Sequence, residues 1–164
     1  MSDSQDSQRL IVVPCGRSKI WDRNPEQGPT FAKDAYTGVP FKINREYAEH
    51  FADHWVILSA RYGFISPDWP IPGPYEVTFK KKSTGPIEVE QLRIQVRDQE
   101  LDRFSTVIGL GGREYRDALT GTFAGSDCEV TFPFSGLSIG IAMQRTKLAI
   151  STNQVCPIIG NSRP

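Results

Sequence analysis

Histidine and cysteine are scarce in this chain, and neither sign of charge prevails. There are 2 histidines and 3 cysteines among 164 residues, with 19 basic and 19 acidic side chains. Cys15, Cys128 and Cys156 are odd in number and far apart, which argues against a disulfide framework and fits free thiols in a reducing compartment. No two of them have the close spacing of a zinc knuckle. His50 and His54 stand i, i+4, with Glu49 beside the first, and on a helix they would share a face that could hold a metal with a third ligand. A solvated helix face accounts for the same residues, so no metal and no cofactor is expected. Balanced charge removes any bulk field drawing the chain onto DNA or anionic lipid, and a nucleic-acid contact needs a local basic patch instead. No apolar run nears the roughly 20 residues that cross a bilayer. Met1 to Gln8 is polar and lacks the basic-then-apolar order of a signal peptide. A cytoplasmic location without a membrane partner is expected.

What is present is an alternation of apolar runs and amphipathic stretches. Apolar residues make up 38% and charged residues 23%, ordinary values for a globular protein. The length suits one domain with a sizeable core. That domain is expected over residues 10–150, after a disordered lead-in at 1–9 and before an aperiodic tail at 151–164. Ile11 to Val13 read as the first strand, β-branched and bounded by Pro14 and Gly16. Trp21 to Phe31 is a loop by its breakers, and Phe41 to His54 can form a helix. Trp55 to Ala60 is a second buried strand. Ser66 to Pro74 is proline-rich and must be a rigid, extended loop. Tyr75 to Phe79 alternates, and Ile87 to Phe104 has the spacing of an amphipathic helix. Thr106 to Gly112 is a third strand running into glycines, and Arg113 opens a helix. Glu129 to Gly136 is a fourth strand-to-loop passage, followed by a helix over Leu137 to Ile150. This order argues an α/β three-layer sandwich around a mostly parallel, four-stranded central sheet.

In open sheets of this kind ligands bind outside the carboxyl ends of the strands. Strand one ends in Cys15-Gly16-Arg17-Ser18-Lys19, which offers backbone N–H groups, a hydroxyl and an ammonium to an anion. Its glycine spacing is not that of a Walker A loop. A thiolate nucleophile at Cys15 would need a partnering histidine, and none stands in such a motif; Cys15 reads better as a small residue at the strand end. Strand two ends in Ser59, Arg61 and Tyr62, strand three in Gly109 to Gly112, strand four in Pro133 to Gly136. Gly111 and its neighbours let the backbone approach a ligand or pack tightly. Tyr115, one turn on, faces the same edge or the core. Asp22, Asp34, Asp68 and Glu76 lie in loops near these ends, among Trp21, Tyr36, Tyr62, Trp69 and Tyr75. Acids with aromatics suit a pocket for a flat ring such as a nucleobase, and core packing claims some of the same rings. Lys80-Lys81-Lys82, Arg113, Arg116, Arg145 and Lys147 can contact phosphate or simply keep the surface soluble.

Several stretches carry a resemblance. They are Cys15 to Lys19, Asp34-Ala35-Tyr36-Thr37-Gly38 with Phe41, Leu58 to Phe64, Pro74 to Phe79 and Gly136 to Gly140. Together they resemble a little-characterised bacterial and phage family of small cytosolic domains over about Ile11 to Ile150. That family is distantly similar to the YaaA-like proteins and to a domain of archaeosine synthases, both connected with nucleic acids. A broader resemblance is to the uracil-DNA glycosylase superfamily. There the loop after strand one supplies a water-activating acid, a later strand ends in glycine, and a final strand leads through a His-Pro-Ser-like loop into a helix. Here that loop reads Phe132-Pro133-Phe134-Ser135-Gly136, without the histidine, and no Gly-Gln-Asp-Pro-Tyr stretch follows strand one. The resemblance implies a uracil-DNA glycosylase-like fold, with DNA defence or DNA modification as its setting.

The expected function is hydrolysis of the N-glycosidic bond of a modified base in DNA. Its transition state is oxocarbenium-like and needs a carboxylate near the sugar and donors aimed at the departing base. Asp34 is the first choice for the carboxylate, with Asp22 or Glu76 as substitutes. Cys15, Gly16, Ser18 and Lys19 would hold phosphate or base beside Gly111. Tyr36, Tyr62 or Tyr75 would stack on a flipped base, and Ser135, Ser59 and Arg61 would complete the binding surface. The alternatives are a non-catalytic DNA- or nucleotide-binding module and a hydrolase or transferase acting on the N-glycosidic bond of free nucleotides.

Overall fold

A computed structural model describes residues 8–157. In chain order it contains β1 (Arg9–Pro14), β2 (Thr30–Phe31), the one-turn helix α1 (Ala32–Ala35), α2 (Val39–Phe51), β3 (His54–Ser59), β4 (Gly63–Ile65) and β5 (Pro70–Ile71). There follow α3 (Val89–Gln99), β6 (Thr106–Gly109), α4 (Arg113–Phe123), β7 (Glu129–Thr131) and α5 (Ile139–Thr152). Short 3-10 turns cover Ile20–Asp22, Lys82–Thr84 and Leu101–Arg103.

The sheet is built around β1. It pairs in parallel with β3 along one edge, Leu10 opposite His54 through Pro14 opposite Leu58, and in parallel with β6 along the other. Successive strand side chains point to opposite faces. Leu10 and Val12 therefore pack with Val56, Leu58 and Val107 beneath Leu92 and Val96 of α3 and Leu119 of α4. Ile11 and Val13 pack with Ile57 and Ile108 beneath Tyr47 and Ala48 of α2 and Ala149 of α5. Burial on both faces is why these strands read as continuous apolar runs. Helices cover both sides of the sheet.

The sheet has five strands in the order β4-β3-β1-β6-β7, one more than the four expected. β7 extends the parallel set beside β6, and β4 folds back antiparallel on β3. Gly63 to Ile65 reads in sequence as the continuation of a polar loop. Gly63, at φ +78, turns the chain, a conformation that suits glycine. Gln95 on α3 then holds the returning strand. Its Oε1 accepts from the Phe64 N–H at 2.7 Å, and its Nε2 donates to the Tyr62 carbonyl at 2.9 Å.

Other boundaries also move. α2 starts at Val39, with Pro40 in its first turn where no N–H is needed, and stops at Phe51. His54 opens β3, so His50 and His54 do not share a helix face: His50 Nε2 lies 2.8 Å from Asn153 Oδ1, while His54 stacks on Phe104. α3 ends at Gln99, because Glu100 adopts φ 57 and starts a 3-10 turn, and does not run to Phe104. Tyr75 to Phe79 is irregular despite its alternation. Arg9, expected in the lead-in, is the first residue of β1, and residues 1–7 lie outside the described residues. Ser151 and Thr152, expected in the tail, close α5; the Val155 carbonyl then accepts from the Tyr47 hydroxyl at 2.7 Å, and residues 158–164 lie outside the described residues. Among the described residues no helix is long and apolar enough to cross a membrane.

Replacing Gln95 with alanine leaves the Phe64 N–H and the Tyr62 carbonyl without their partner. The expected loss is about 1–3 kcal/mol, read as a lower urea midpoint at unchanged slope. An unchanged midpoint would show that β4 holds without the clamp.

Candidate functional site

The chain passes from β1 through α2 to β3 on one side, and returns through α3 to β6 on the other. The helices that follow β1 and β6 therefore lie on opposite faces of the sheet, which is where open α/β sheets leave a crevice. A cleft of about 1350 Å³ opens there. Its walls are Pro14 to Lys19 after β1, Gly109 to Gly112 after β6, Phe132 to Ser135 after β7, the first turns of α4 and α5, and parts of the segment from Pro74 to Thr84. Gly111 lets two walls meet. Its φ is +112, and a Cβ there would stand 2.9 Å from Pro14 Cγ and 3.3 Å from Tyr115 Cβ.

Beneath the cleft lies a chain of hydroxyls. Tyr36 and Tyr75 share a hydrogen bond of 2.5 Å, and the Tyr75 hydroxyl lies 3.0 Å from Ser59 Oγ. Ser59 Oγ in turn accepts from the N–H groups of Arg61 and Tyr62, at 3.2 and 3.1 Å. The end of β3 and the Pro74 segment are thereby tied together through buried polar groups that all have partners. Across the floor, the Tyr115 hydroxyl donates to the Cys15 carbonyl at 3.2 Å and lies 3.1 Å from Cys15 Sγ. Burial pushes the Tyr36, Tyr75 and Tyr115 phenols above their ordinary range.

Lys19 lies in the wall after β1 and is only 8% exposed. Its Nζ donates to the Arg17 carbonyl at 3.2 Å and stands 4.5 Å from the centre of the Tyr75 ring, within cation–π range. Burial lowers its pKa, against the opposing pull of Cys15, Asp22 and Glu76. Asp22 Oδ2 accepts from the backbone N–H of Lys19 at 2.9 Å, closing the 3-10 turn. Arg17, Lys80, Lys81 and Arg116 add cationic groups to the lining, and Asp22, Glu76 and Glu114 add carboxylates. Thr84 knits the lysine turn: its Oγ1 accepts from the Thr78 N–H at 3.0 Å and lies 2.6 Å from the Lys81 carbonyl.

Of the residues expected at the site, Cys15, Gly16, Ser18, Lys19, Asp22, Tyr75, Glu76, Gly111 and Ser135 all line this cleft. Tyr36 and Ser59 lie beneath it as the partners of Tyr75, so Tyr36 supports the floor and has no face free to stack on a base. Arg61 and Tyr62 line a different groove, beside Gly85 to Gln91, and Tyr62 packs against Trp69. Asp34, the first choice for the carboxylate, is not brought to this cleft. It stands on α1 with its side chain 55% exposed, 3.4 Å from the Arg45 guanidinium, and is not part of the cleft lining. The one-turn helix α1 directs it to the outer surface beside α2. Asp68 is likewise outside, paired with Lys33 at 2.9 Å. Trp21 is buried, its indole N–H on the Gln27 carbonyl. Asn44, Thr84, Glu114 and Met143 line the cleft without having been singled out. They come from helix starts and turns whose side-chain directions have no local signature.

Residues 10–147 match the model of a family described as a family of unknown function, DUF6884. A relative in Bacillus subtilis (strain 168), the uncharacterized protein YfjM, is 35% identical over 144 residues, covering 87% of this chain and 95% of that protein. Among solved structures, the crystal structure of AF0587, a protein of unknown function, is similar at a TM-score of 0.40 and 13% identity over 88% of this chain. The chain spans 44% of that protein's length.

The buried phenols set a pH dependence. Unfolded, Tyr36, Tyr75 and Tyr115 lose their protons around the ordinary value of 10.0, while the folded protein keeps them. The folded state binds more protons above that value, so stability present below about pH 10 falls as pH rises, by at most about 1.4 kcal/mol per pH unit per tyrosine. Lys19 acts in the opposite sense, and only up to its ordinary value of 10.5. Urea unfolding at a series of alkaline pH values, with phenolate absorbance followed in parallel, checks this. Native-state ionisation of all the tyrosines around pH 10 would contradict it.

Proposed function

The chain belongs to DUF6884, a family of unknown function, and we propose that it is a DNA glycosylase-like hydrolase acting on the N-glycosidic bond of a modified base. The observation that carries this reading is one cleft combining a cationic lining, aromatic and apolar walls and carboxylates, Glu76 among them, that have no hydrogen bond or ion pair among the described residues. Arg17, Lys19, Lys80, Lys81 and Arg116 outnumber Asp22, Glu76 and Glu114 there, although the whole chain is balanced at 19 and 19. Such a local excess suits a phosphate-bearing ligand. The uracil-DNA glycosylase-like resemblance is supported by the convergence of the loop after β1, the glycine end of β6 and the Phe132 to Ser135 passage on the same cleft.

Glu76 takes the role first expected of Asp34. Among the described residues its carboxylate has no hydrogen bond or ion pair, whereas Asp22 is engaged by the Lys19 N–H. A free carboxylate beside the sugar stabilises positive charge at C1′ as the base departs, and orients the water that replaces it. The departing base becomes anionic. Without a histidine in the Phe132 to Ser135 loop, donors for it come from Ser18, Ser135 and the backbone around Gly16. Phe41, Phe132 and Phe134 furnish apolar surface for the ring. Lys80 and Lys81 hold the polymer's phosphates.

Incubation with modified and unmodified DNA, followed by mass spectrometry of small molecules, tests the reading through released base. A Glu76→Gln protein is expected to lose about 100-fold or more of that rate. An Asp34→Ala protein is expected to keep it, since Asp34 faces Arg45 outside the cleft. Full activity of Glu76→Gln would remove Glu76 from the mechanism. Absence of base release from every modified DNA and free nucleotide, with binding retained, would favour a non-catalytic binding module.

A further inference from the structure

A buried lysine is ordinarily accompanied by a carboxylate, because an ammonium taken out of water costs several kcal/mol when unpaired. Lys19 is not. Among the described residues its Nζ makes one hydrogen bond, to the Arg17 carbonyl, and rests over the Tyr75 ring. Asp22, the carboxylate three residues on, is turned to the Lys19 backbone N–H. The Tyr75 ring is itself held from below by Tyr36 and Ser59. Lys80 and Lys81, by contrast, are exposed on a turn.

We propose that Lys19 is an amine nucleophile that condenses with the C1′ aldehyde of an abasic deoxyribose held in the cleft. This rests on the reading of the cleft as a site of base removal. It adds a second chemical step at the sugar that the hydrolysis leaves behind. An amine attacks only as the neutral form, and desolvation is a general way to obtain it. Burial lowers the Lys19 pKa in that sense. Loss of the base and addition of water leave a hydroxyl on C1′, and the ring-closed sugar opens to an aldehyde. The Nζ lone pair forms the new N–C1′ bond. The carbonyl oxygen departs as water with the two protons that the neutral amine carried, leaving an imine between Nζ and C1′. No electron transfer is involved, and water reverses the step. Glu76, close enough to act on the Lys19 charge, can pass the protons between nitrogen and oxygen. The consequence is a product complex held covalently, shielding a reactive abasic site.

An oligonucleotide carrying one preformed abasic site separates this step from base excision. The full-length protein is mixed with it in the presence of sodium borohydride, whose hydride reduces an imine to a stable secondary amine. A protein–DNA adduct that survives a denaturing gel is expected, with the modified peptide mapping to Lys19. Lys19→Arg, which keeps the positive charge but cannot condense, is expected to lower the trapped fraction at least about tenfold. Mapping on the unaltered protein decides the matter even where a variant folds poorly. No adduct, or adducts confined to Lys80, Lys81 or other exposed amines, would overturn the assignment. Base release without trapping at Lys19 would overturn this inference alone. Trapping at Lys19 without base release from any modified DNA would retain the amine and remove the hydrolase.

Discussion

Leu10 to Val13 have a hydrogen-bonded strand on each edge and a helical layer on each face, and the rest of the molecule follows from that position. Each of these side chains is essentially inaccessible, worth roughly 1.5–3 kcal/mol apiece in burial. The chain leaves β1 towards β3 on one side and comes back to β6 on the other. The helices that follow β1 and β6 pack on opposite faces of the sheet. The cleft is the space this divergence leaves. Its outline is a consequence of topology before any side chain contributes chemistry.

Its floor combines rigidity with polarity. The hydroxyls of Tyr36, Tyr75 and Ser59 satisfy one another and the N–H groups of Arg61 and Tyr62. The lysine turn is held by Thr84, and the Cys15 end of β1 by Tyr115. Against this satisfied background stand the carboxylates of Glu76 and Glu114 and the ammonium of Lys19. Glu76 has no partner among the described residues, and Lys19 has a carbonyl and a ring where a buried ammonium ordinarily has a carboxylate. Reactivity concentrates where the polar network is incomplete, because a group already fully hydrogen-bonded has little left to offer a substrate.

Much of the fold could be read along the chain. Apolar β-branched runs separated by amphipathic stretches signalled the parallel strands, and the polar residues closing them marked one sheet edge. β4 escaped because three residues have no period to detect, and its existence depends on Gln95 from a helix about thirty positions away. α3 was read too long because nothing local shows that Glu100 takes a left-handed conformation. The site was legible to the same extent. Cys15, Gly16, Ser18, Lys19, Gly111 and Ser135 follow strands, and strands in a parallel sheet end together. Asp34 stands outside this cleft because its direction depends on a single helical turn packed beside α2, and Arg61 and Tyr62 line another groove beside the β4 hairpin.

The residue order alone determined that apolar strands and amphipathic helices would alternate, since a period of two or of 3.6 is a property of neighbouring residues. It thereby determined that polar loops would gather along one edge of a sheet. Only the tertiary structure decided which groups in those loops face one another. Glu76 and not Asp34 shares the cleft with Lys19, and among the described residues the buried Lys19 ammonium has no carboxylate within ion-pair distance. Those outcomes depend on contacts between residues far apart in the chain, whose distances and burial no local pattern records.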